Sequence, residues 1–351
     1  MNSKPKDLTI TDIAKACNVG VSTVSRAINN HPSIDPRTKS KILEEIERVG
    51  YIPNNSARFL KRTNTKTIAI IVKGMKNPFF TTMVSIMEET IKDRNYTTVL
   101  YYLEDQEDEV EEALRLEKEK RLKGIIFVGG NFTKAQGKAW KLKVPAVLST
   151  VGREPEKNAQ NSFSTISVND YAESYKIIDY LIGNGHTKIA LITDGNGDDI
   201  VGKIRLSGYR DALIDRGIEV DESLIISMVL EGDPYSMKNG YTGAKKLLAN
   251  KVQFTAVYAI ADTLAIGACR AFLEEGIKIP EDVSVVGFDG IELGEFYYPS
   301  ITTLKQPIGE MAEKTVELLF SLIRGKSDPC QLQFEGELIE RESSGKAKGH
   351  I

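Results

Sequence analysis

Ile10-Thr11-Asp12-Ile13-Ala14-Lys15-Ala16-Cys17-Asn18-Val19-Gly20-Val21-Ser22-Thr23-Val24-Ser25-Arg26-Ala27-Ile28-Asn29 contains two short helical patterns split by a three-residue break. Thr11-Asp12 offers a cap to a helix whose apolar positions Ile13, Ala14 and Cys17 recur at helical spacing. Asn18-Val19-Gly20 ends it, and Asn tolerates the left-handed backbone that a tight turn needs. Over 21–29, Val24, Ala27 and Ile28 share one side. A third pattern over 36–49 puts Ile42, Leu43, Ile46 and Val49 on one face. Two helices joined by a tight turn, with a third closing their core, form the helix-turn-helix pattern.

In that motif the second helix enters the major groove and its first turn reaches base edges. Val21 offers an apolar contact to a thymine methyl and Ser22 a small donor or acceptor. Arg26, one turn on, has the fork that donates twice to guanine O6 and N7. Thr23, Ser25 and Asn29 suit phosphate oxygens, which set register without carrying sequence information. Charge agrees. Residues 1–66 hold 12 Lys and Arg against 6 Asp and Glu, whereas the rest of the chain holds 34 against 43. A basic head on an acidic body assigns the polyanion to the head.

From Thr67 onward the texture changes. Apolar, β-rich runs at 68–72, 97–102, 124–128 and 146–148 alternate with helical stretches at 79–94, 105–120 and 134–142. A second series follows: 165–168, 171–183, 188–192, 203–216, 224–229, 237–248, 256–260, 263–275 and 283–287. Strands alternating with helices mark an α/β core with parallel sheets. So long a stretch divides most economically into two similar sub-domains facing a cleft. The polar, basic stretch 54–66 reads as a linker.

The 9–29 segment closely resembles the headpiece of the lactose/galactose repressor family of bacterial regulators. Tyr51-Ile52-Pro53-Asn54 followed by Ala57-Arg58-Phe59-Leu60-Lys61 resembles that family's hinge. The resemblance continues through Asn77-Pro78-Phe79-Phe80, Gly185-His186, Arg205-Leu206-Ser207-Gly208-Tyr209, Gly287-Phe288-Asp289 and Thr302-Thr303-Leu304-Lys305-Gln306-Pro307. It implies an all-α helix-turn-helix headpiece (1–53), a hinge (54–66) and an α/β core of two Rossmann-like sub-domains of the type I periplasmic-binding-protein kind. The expected division is 67–163 with about 291–323, then 164–290 with about 324–342, leaving 343–351 as a polar tail. It also implies a homodimer on palindromic double-stranded operator DNA, in which hinge helices form and a paired leucine wedges into the minor groove. Leu60 stands at that position, with Ala57 the small residue beside it; Arg58 and Lys61 add charge on the backbone. Apolar wedges of this kind unstack a base step and bend the duplex.

The cleft is expected to take a small-molecule effector, a sugar or sugar derivative. Arg205, by the resemblance, points into it from a helix start, and Asp262 is a further candidate effector-binding residue. Asp289 sits just past a strand end, and ligands of open α/β sheets lie outside the carboxyl ends of strands. Arg donors and Asp acceptors suit a polyol, while Phe79, Phe80 and Phe288 offer rings to its apolar face. The chain departs from sugar-binding members at Lys73-Gly74-Met75-Lys76, Thr150 and Ala261, where polar acceptors are often found. The two lysines open the cleft to a phosphorylated or carboxylated ligand, unless they simply reach out to solvent.

Other chemistry fails on inspection. Asp194-Gly195-Asn196-Gly197-Asp198 begins like a calcium loop, but Asp199 replaces the needed Gly. Neither a dinucleotide fingerprint nor a phosphate loop appears. His31, His186 and His350 are scattered, as are Cys17, Cys269 and Cys330, so no catalytic residue, metal site or cofactor is expected. No apolar run reaches the roughly 18 residues of a membrane span, and Met1 to Asp7 has no apolar stretch behind its lysines. The expectation is a cytoplasmic, effector-controlled, DNA-binding transcription regulator of the repressor type, and not an enzyme. The alternatives are a solute-binding transport protein sharing the α/β core, or an activator or global regulator that needs a phosphoprotein partner.

Overall fold

The computed structural model describes residues 9–28, 31–49, 66–104, 107–130, 132, 141–152, 163–194, 200–228 and 234–348. The chain forms two compact units, Met1–Thr65 and Lys66–Ile351. The hinge 57–61, Asn29 and most of the helical stretch expected at 134–142 fall outside the described residues.

The first unit contains α1 (Ile10–Cys17), α2 (Val21–Ile28) and α3 (Pro36–Arg48). Helices this short are marginal alone in water, so packing must hold them. Ile13, Ala14, Cys17, Val24, Ala27 and Ile42 supply it, none more than 3% exposed. Burying each larger member contributes about 1.5–3 kcal/mol. The start of α1 differs from the expectation. Thr9 is the N-cap, and Asp12, one turn in, reaches back to accept from the Thr9 amide at 2.9 Å and its hydroxyl at 2.6 Å. Thr11 and Asp12 are therefore inside the helix, because a carboxylate at the third position satisfies a donor that the first turn leaves open. Asn18 adopts the left-handed conformation, φ 56°.

The second unit contains β1 (Thr67–Lys73), α4 (Pro78–Asp93), β2 (Thr97–Leu103), α5 (Glu109–Lys120), β3 (Gly124–Val128), β4 (Ala146–Ser149) and β5 (Ser164–Val168). These are followed by α6 (Asp170–Gly183), β6 (Ile189–Thr193), α7 (Ile200–Asp215), β7 (Ile225–Ser227), α8 (Met237–Ala249), β8 (Ala256–Ala259), α9 (Asp262–Glu274) and β9 (Ser284–Asp289). The series ends with α10 (Glu292–Phe296), β10 (Thr302–Lys305), α11 (Ile308–Ile323), β11 (Gln331–Phe334) and β12 (Glu337–Ile339). No described helix is long and apolar enough to cross a membrane.

Two six-stranded sheets result, ordered β11-β5-β4-β3-β1-β2 and β12-β10-β9-β8-β6-β7. Every pairing is parallel except β12 on β10. Without the two returning strands, both sheets have the same doubly wound order, and each carries its ligand side at the carboxyl ends of its strands. Helices on both faces explain why β3, β5, β6 and β9 are buried at every residue and read as continuous apolar or small-residue runs.

The expected sub-domain division needs correction. Residues 164–168, assigned to the second sub-domain, pair with Ala146–Ser149 and complete the first sheet. Residues 302–305, assigned to the first, pair with β9 in the second sheet, and α10 before them packs on α9. Helix α11 returns to the first sheet, packing on α4, β3, β4 and β5. The stretch 324–342 is shared: β11 joins β5, and β12 joins β10. The chain thus crosses between sheets three times, after β5, after β10 and after β11. Nor is 343–348 a free tail. Ser343 is fully buried, donates from its hydroxyl to the Val285 carbonyl at 2.6 Å, and accepts from the Thr302 amide at 2.8 Å. The acidic helix expected from 105 begins at Glu109, because Asp108 caps it by accepting from the amides of Val110 and Glu111.

Candidate functional site

In the headpiece, the burial of Val24 and Ala27 fixes which side of α2 faces out. Val21, Ser22 and Arg26 are exposed, Val21 by 43%, and Thr23 and Ser25 are half-buried. The four residues Ala57, Arg58, Leu60 and Lys61 belong to the segment that is not described.

In the core, the carboxyl ends of the two sheets meet. Asn77 follows β1 and caps α4, accepting from the Phe79 amide at 3.1 Å, with Pro78 at the first helical position. Its side-chain amide donates to Asp289 Oδ2 at 2.9 Å, a buried bond from the first sheet to the second. Asp289 ends β9 with φ 118°, a conformation non-glycine residues rarely adopt. Gln306, just past β10, holds it there: its side-chain amide donates to Asp289 Oδ1 at 2.8 Å, and its backbone amide donates to the Asp289 carbonyl at 3.1 Å. Burial pushes the Asp289 carboxyl up to about 6, against the opposing pull of the Arg205 charge and the two amide donors.

Arg205 lies in the second turn of α7 and not at a helix start. Its Nε and Nη2 atoms both lie 2.8 Å from Asp170 Oδ1, and Nη1 donates to the Ile260 carbonyl. Its guanidinium stacks 3.5 Å from the centroid of Phe288. Burial is the largest single influence and works against the charge, but Asp170, Tyr258, Asp289 and Tyr235 together raise the Arg205 pKa above the ordinary arginine value. Phe288 is fully buried, so the face offered to a ligand in the sequence reading is occupied by Arg205. Phe79 and Phe80 meet edge to face at 5.6 Å, Phe79 buried and Phe80 half-buried.

Asp262 is also fully buried. Its Oδ2 accepts from the amides of Gly290 and Ile291, both at 2.8 Å, and its Oδ1 from the Thr303 hydroxyl at 2.6 Å. It therefore ties down the turn that follows Asp289. Burial first, and then the neighbouring Asp289, push its carboxyl up to about 8. Lys73 is half-buried, pairs with the buried Glu109 at 3.3 Å and donates to the Glu107 carbonyl at 3.0 Å; Lys76 is exposed. Lys73 is thus neutralised from within the first sub-domain.

The raised Asp262 and Asp289 values have a consequence for stability. An unfolded aspartate releases its proton near pH 4, whereas the folded core retains these protons up to about 6 and 8. The stabilisation is complete below about pH 4 and is lost as pH rises through the folded values, with a slope of up to about 1.4 kcal/mol per pH unit for each retained proton. Asp262→Asn should flatten the part of this slope that persists to about pH 8. Urea midpoints measured from pH 4 to 9 check it; an unchanged slope would mean that Asp262 is ionised in the folded core.

Sequence reasoning missed Asn77, Asp170 and Gln306 as members of this cluster. Each stands next to a helix start or a proline, where a polar residue reads as an ordinary cap or turn.

Comparison with known proteins agrees with the architecture. Residues 9–54 match the family described as bacterial regulatory proteins, lacI family, and residues 178–344 match the periplasmic binding protein-like domain. The HTH-type transcriptional regulator MalR of Clostridium butyricum is 41% identical over 343 residues, covering 96% of this chain and 99% of MalR. The HTH-type transcriptional repressor PurR of Vibrio atlanticus is 30% identical, covering 95% and 98%. Among solved structures, the transcriptional regulator CelR–cellobiose complex superposes with a TM-score of 0.70 at 27% identity, covering 96% of this chain and all of that one. With a three-helix headpiece, a doubled α/β core and relatives aligned over nearly their whole length, the protein belongs to the lacI family of bacterial regulatory proteins and is a DNA-binding transcription regulator, not an enzyme.

Proposed function

We propose that the protein is a homodimeric, cytoplasmic repressor that binds a palindromic operator and is controlled by a neutral, hydroxyl-rich effector in the cleft. The observation that carries this reading is the outward face of α2. Val21, Ser22 and Arg26 are left exposed by a helix whose other side is committed to the headpiece core. Val21, Ser22 and Arg26 read base edges, while Thr23, Ser25 and Asn29 hold phosphates. Leu60, flanked by Ala57, Arg58 and Lys61, wedges at the dyad. A repressor is also what the PurR relative is named.

A dimer is supported by the apolar surface around α10. Leu293 is 42% exposed, Phe296 77% and Tyr298 82%, an aromatic patch that a second copy would cover. The effector class follows from charge. Arg205 and Lys73 are already paired with Asp170 and Glu109, and Lys76 is exposed to solvent, so the paired cations have little left for an anion. Asp289 offers acceptor lone pairs, Phe79 and Phe80 follow its partner Asn77 in the chain, and Asp262 positions its turn without touching the ligand. That combination favours hydroxyl donors over a phosphate or carboxylate. Cellobiose, the ligand of the CelR complex, has this chemistry.

Competition binding tests the head. Arg26→Ala should relax base choice at one position by about 1–3 kcal/mol, whereas Lys61→Ala should weaken all sequences about equally. A uniform loss for Arg26→Ala would place that side chain on phosphate.

A further inference from the structure

The three segments that cross between the sheets are each clamped just past the crossing, always to the second sub-domain. After β5, Asp170 is held by Arg205 of α7. After β10, Gln306 is held by Asp289 at the end of β9. After β11, Gly336 is held by two side chains of α6, one turn apart: Glu173 Oε1 accepts from its amide at 2.9 Å, and Lys176 Nζ donates to its carbonyl at 3.0 Å. Glu173 and Lys176 pair with each other at 2.6 Å. Glu173 is 2% exposed, a position no carboxylate occupies without dedicated partners. Gly336 fits there because a Cβ would lie 2.7 Å from the Leu304 side chain.

The first two clamps are made by candidate effector residues. The third contacts neither, so it must serve the crossing alone. We propose that Glu173 and Lys176 are a positioning pair that fixes where the third crossing bends, and thereby sets how far the two sub-domains close on one another. With Gly336 tied to α6, rotation at this crossing is confined to the backbone before it, around Glu335. The neighbouring crossings are likewise tied at Asp170 and Gln306. Hinges of this type are a few element-end residues that absorb the backbone change, and three short ones in parallel give a defined arc. The two clamps containing Arg205 and Asp289 can be altered by a ligand; the Glu173–Lys176 clamp stays in place and provides the fixed end of the motion.

This goes beyond the proposed effector and operator, since it concerns the core alone and would stand if both were different. Hydrogen exchange on the full chain without ligand tests it. Lys176 is 43% exposed in its side chain, so Lys176→Met is expected to fold. Exchange should rise about 10-fold or more in peptides covering 335–337, the loss expected when a charge-assisted hydrogen bond is removed. It should also rise in peptides covering 74–80, where Asn77 meets Asp289 across the junction, by more than in core peptides remote from the crossings. Lys176→Arg, which keeps a charged donor, should restore both. Glu173→Gln, which keeps an acceptor for Gly336 but loses the ion pair, should give an intermediate rise. A merely local brace would raise exchange at 335–337 alone. That pattern, or no rise at either place, would overturn the proposal.

Discussion

Operator binding by this protein should weaken about 10³–10⁵-fold when salt is raised from about 50 to 200 mM, the loss expected for 6–10 phosphate contacts. The motive is the charge layout: residues 1–66 carry twice as many basic as acidic side chains, on a chain whose net charge is −3. Such a body cannot be drawn to DNA as a whole, so the head must displace condensed counterions locally. The slope of log affinity against log salt counts those contacts. Fluorescence anisotropy with a palindromic duplex and a scrambled one, each at four salt concentrations, checks this. The palindrome should stay tighter throughout, because the proposed base-edge contacts by Val21, Ser22 and Arg26 do not depend on counterion release. A flat salt response, or identical curves for the two duplexes, would remove the proposed mode of binding.

Arg205→Met should destabilise the core by about 3–5 kcal/mol, the cost of removing one partner of a buried ion pair. Asp170 is 5% exposed and would keep a carboxylate facing a thioether, while the Ile260 carbonyl would lose its guanidinium donor. The Phe288 ring would also lose the cation stacked at 3.5 Å. A double substitution, Arg205→Met with Asp170→Leu, removes both charges and should recover much of the loss, since an apolar pair of similar size is often as stable as the ion pair. Chemical denaturation of the two variants separates the outcomes. If Arg205→Met cost less than about 1 kcal/mol, the pair would be behaving as a surface salt bridge, against its burial. The proposed effector response should be absent in both variants, because Arg205 clamps the first crossing and belongs to the proposed effector site.

Much of this architecture is legible in the linear chain. Parallel strands covered on both faces are predominantly apolar along their length, so β1, β3 and β6 announce themselves. The recognition helix follows from Val24 and Ala27 falling on one side, because a helix of known pitch leaves Val21, Ser22 and Arg26 on the other. Asp289 is legible as a candidate site residue for a general reason, that ligands of doubly wound sheets lie at the carboxyl ends of the strands. The periods 2 and 3.6, the turn chemistry at Asn18 and the charge of the head are all local properties.

The tertiary structure alone decided where the chain crosses between sheets. Ser164–Val168 carries no mark of belonging to the first sheet; its place depends on which strand edge is open when it arrives, a pairing between residues far apart in sequence. β11 and β12 are short, half-buried and polar in part, so their pattern is weak, and they too are placed by the edges they meet. Ser343 reads as the start of a polar tail until its hydroxyl is seen bonded to Val285 and Thr302. The clamps have the same origin. Asp170 with Arg205, Asn77 with Asp289, and Glu173 and Lys176 with Gly336 join residues 35, 212, 163 and 160 positions apart. A buried charge or amide is satisfied by whatever partner the fold brings within about 3 Å, and sequence spacing holds no record of that approach.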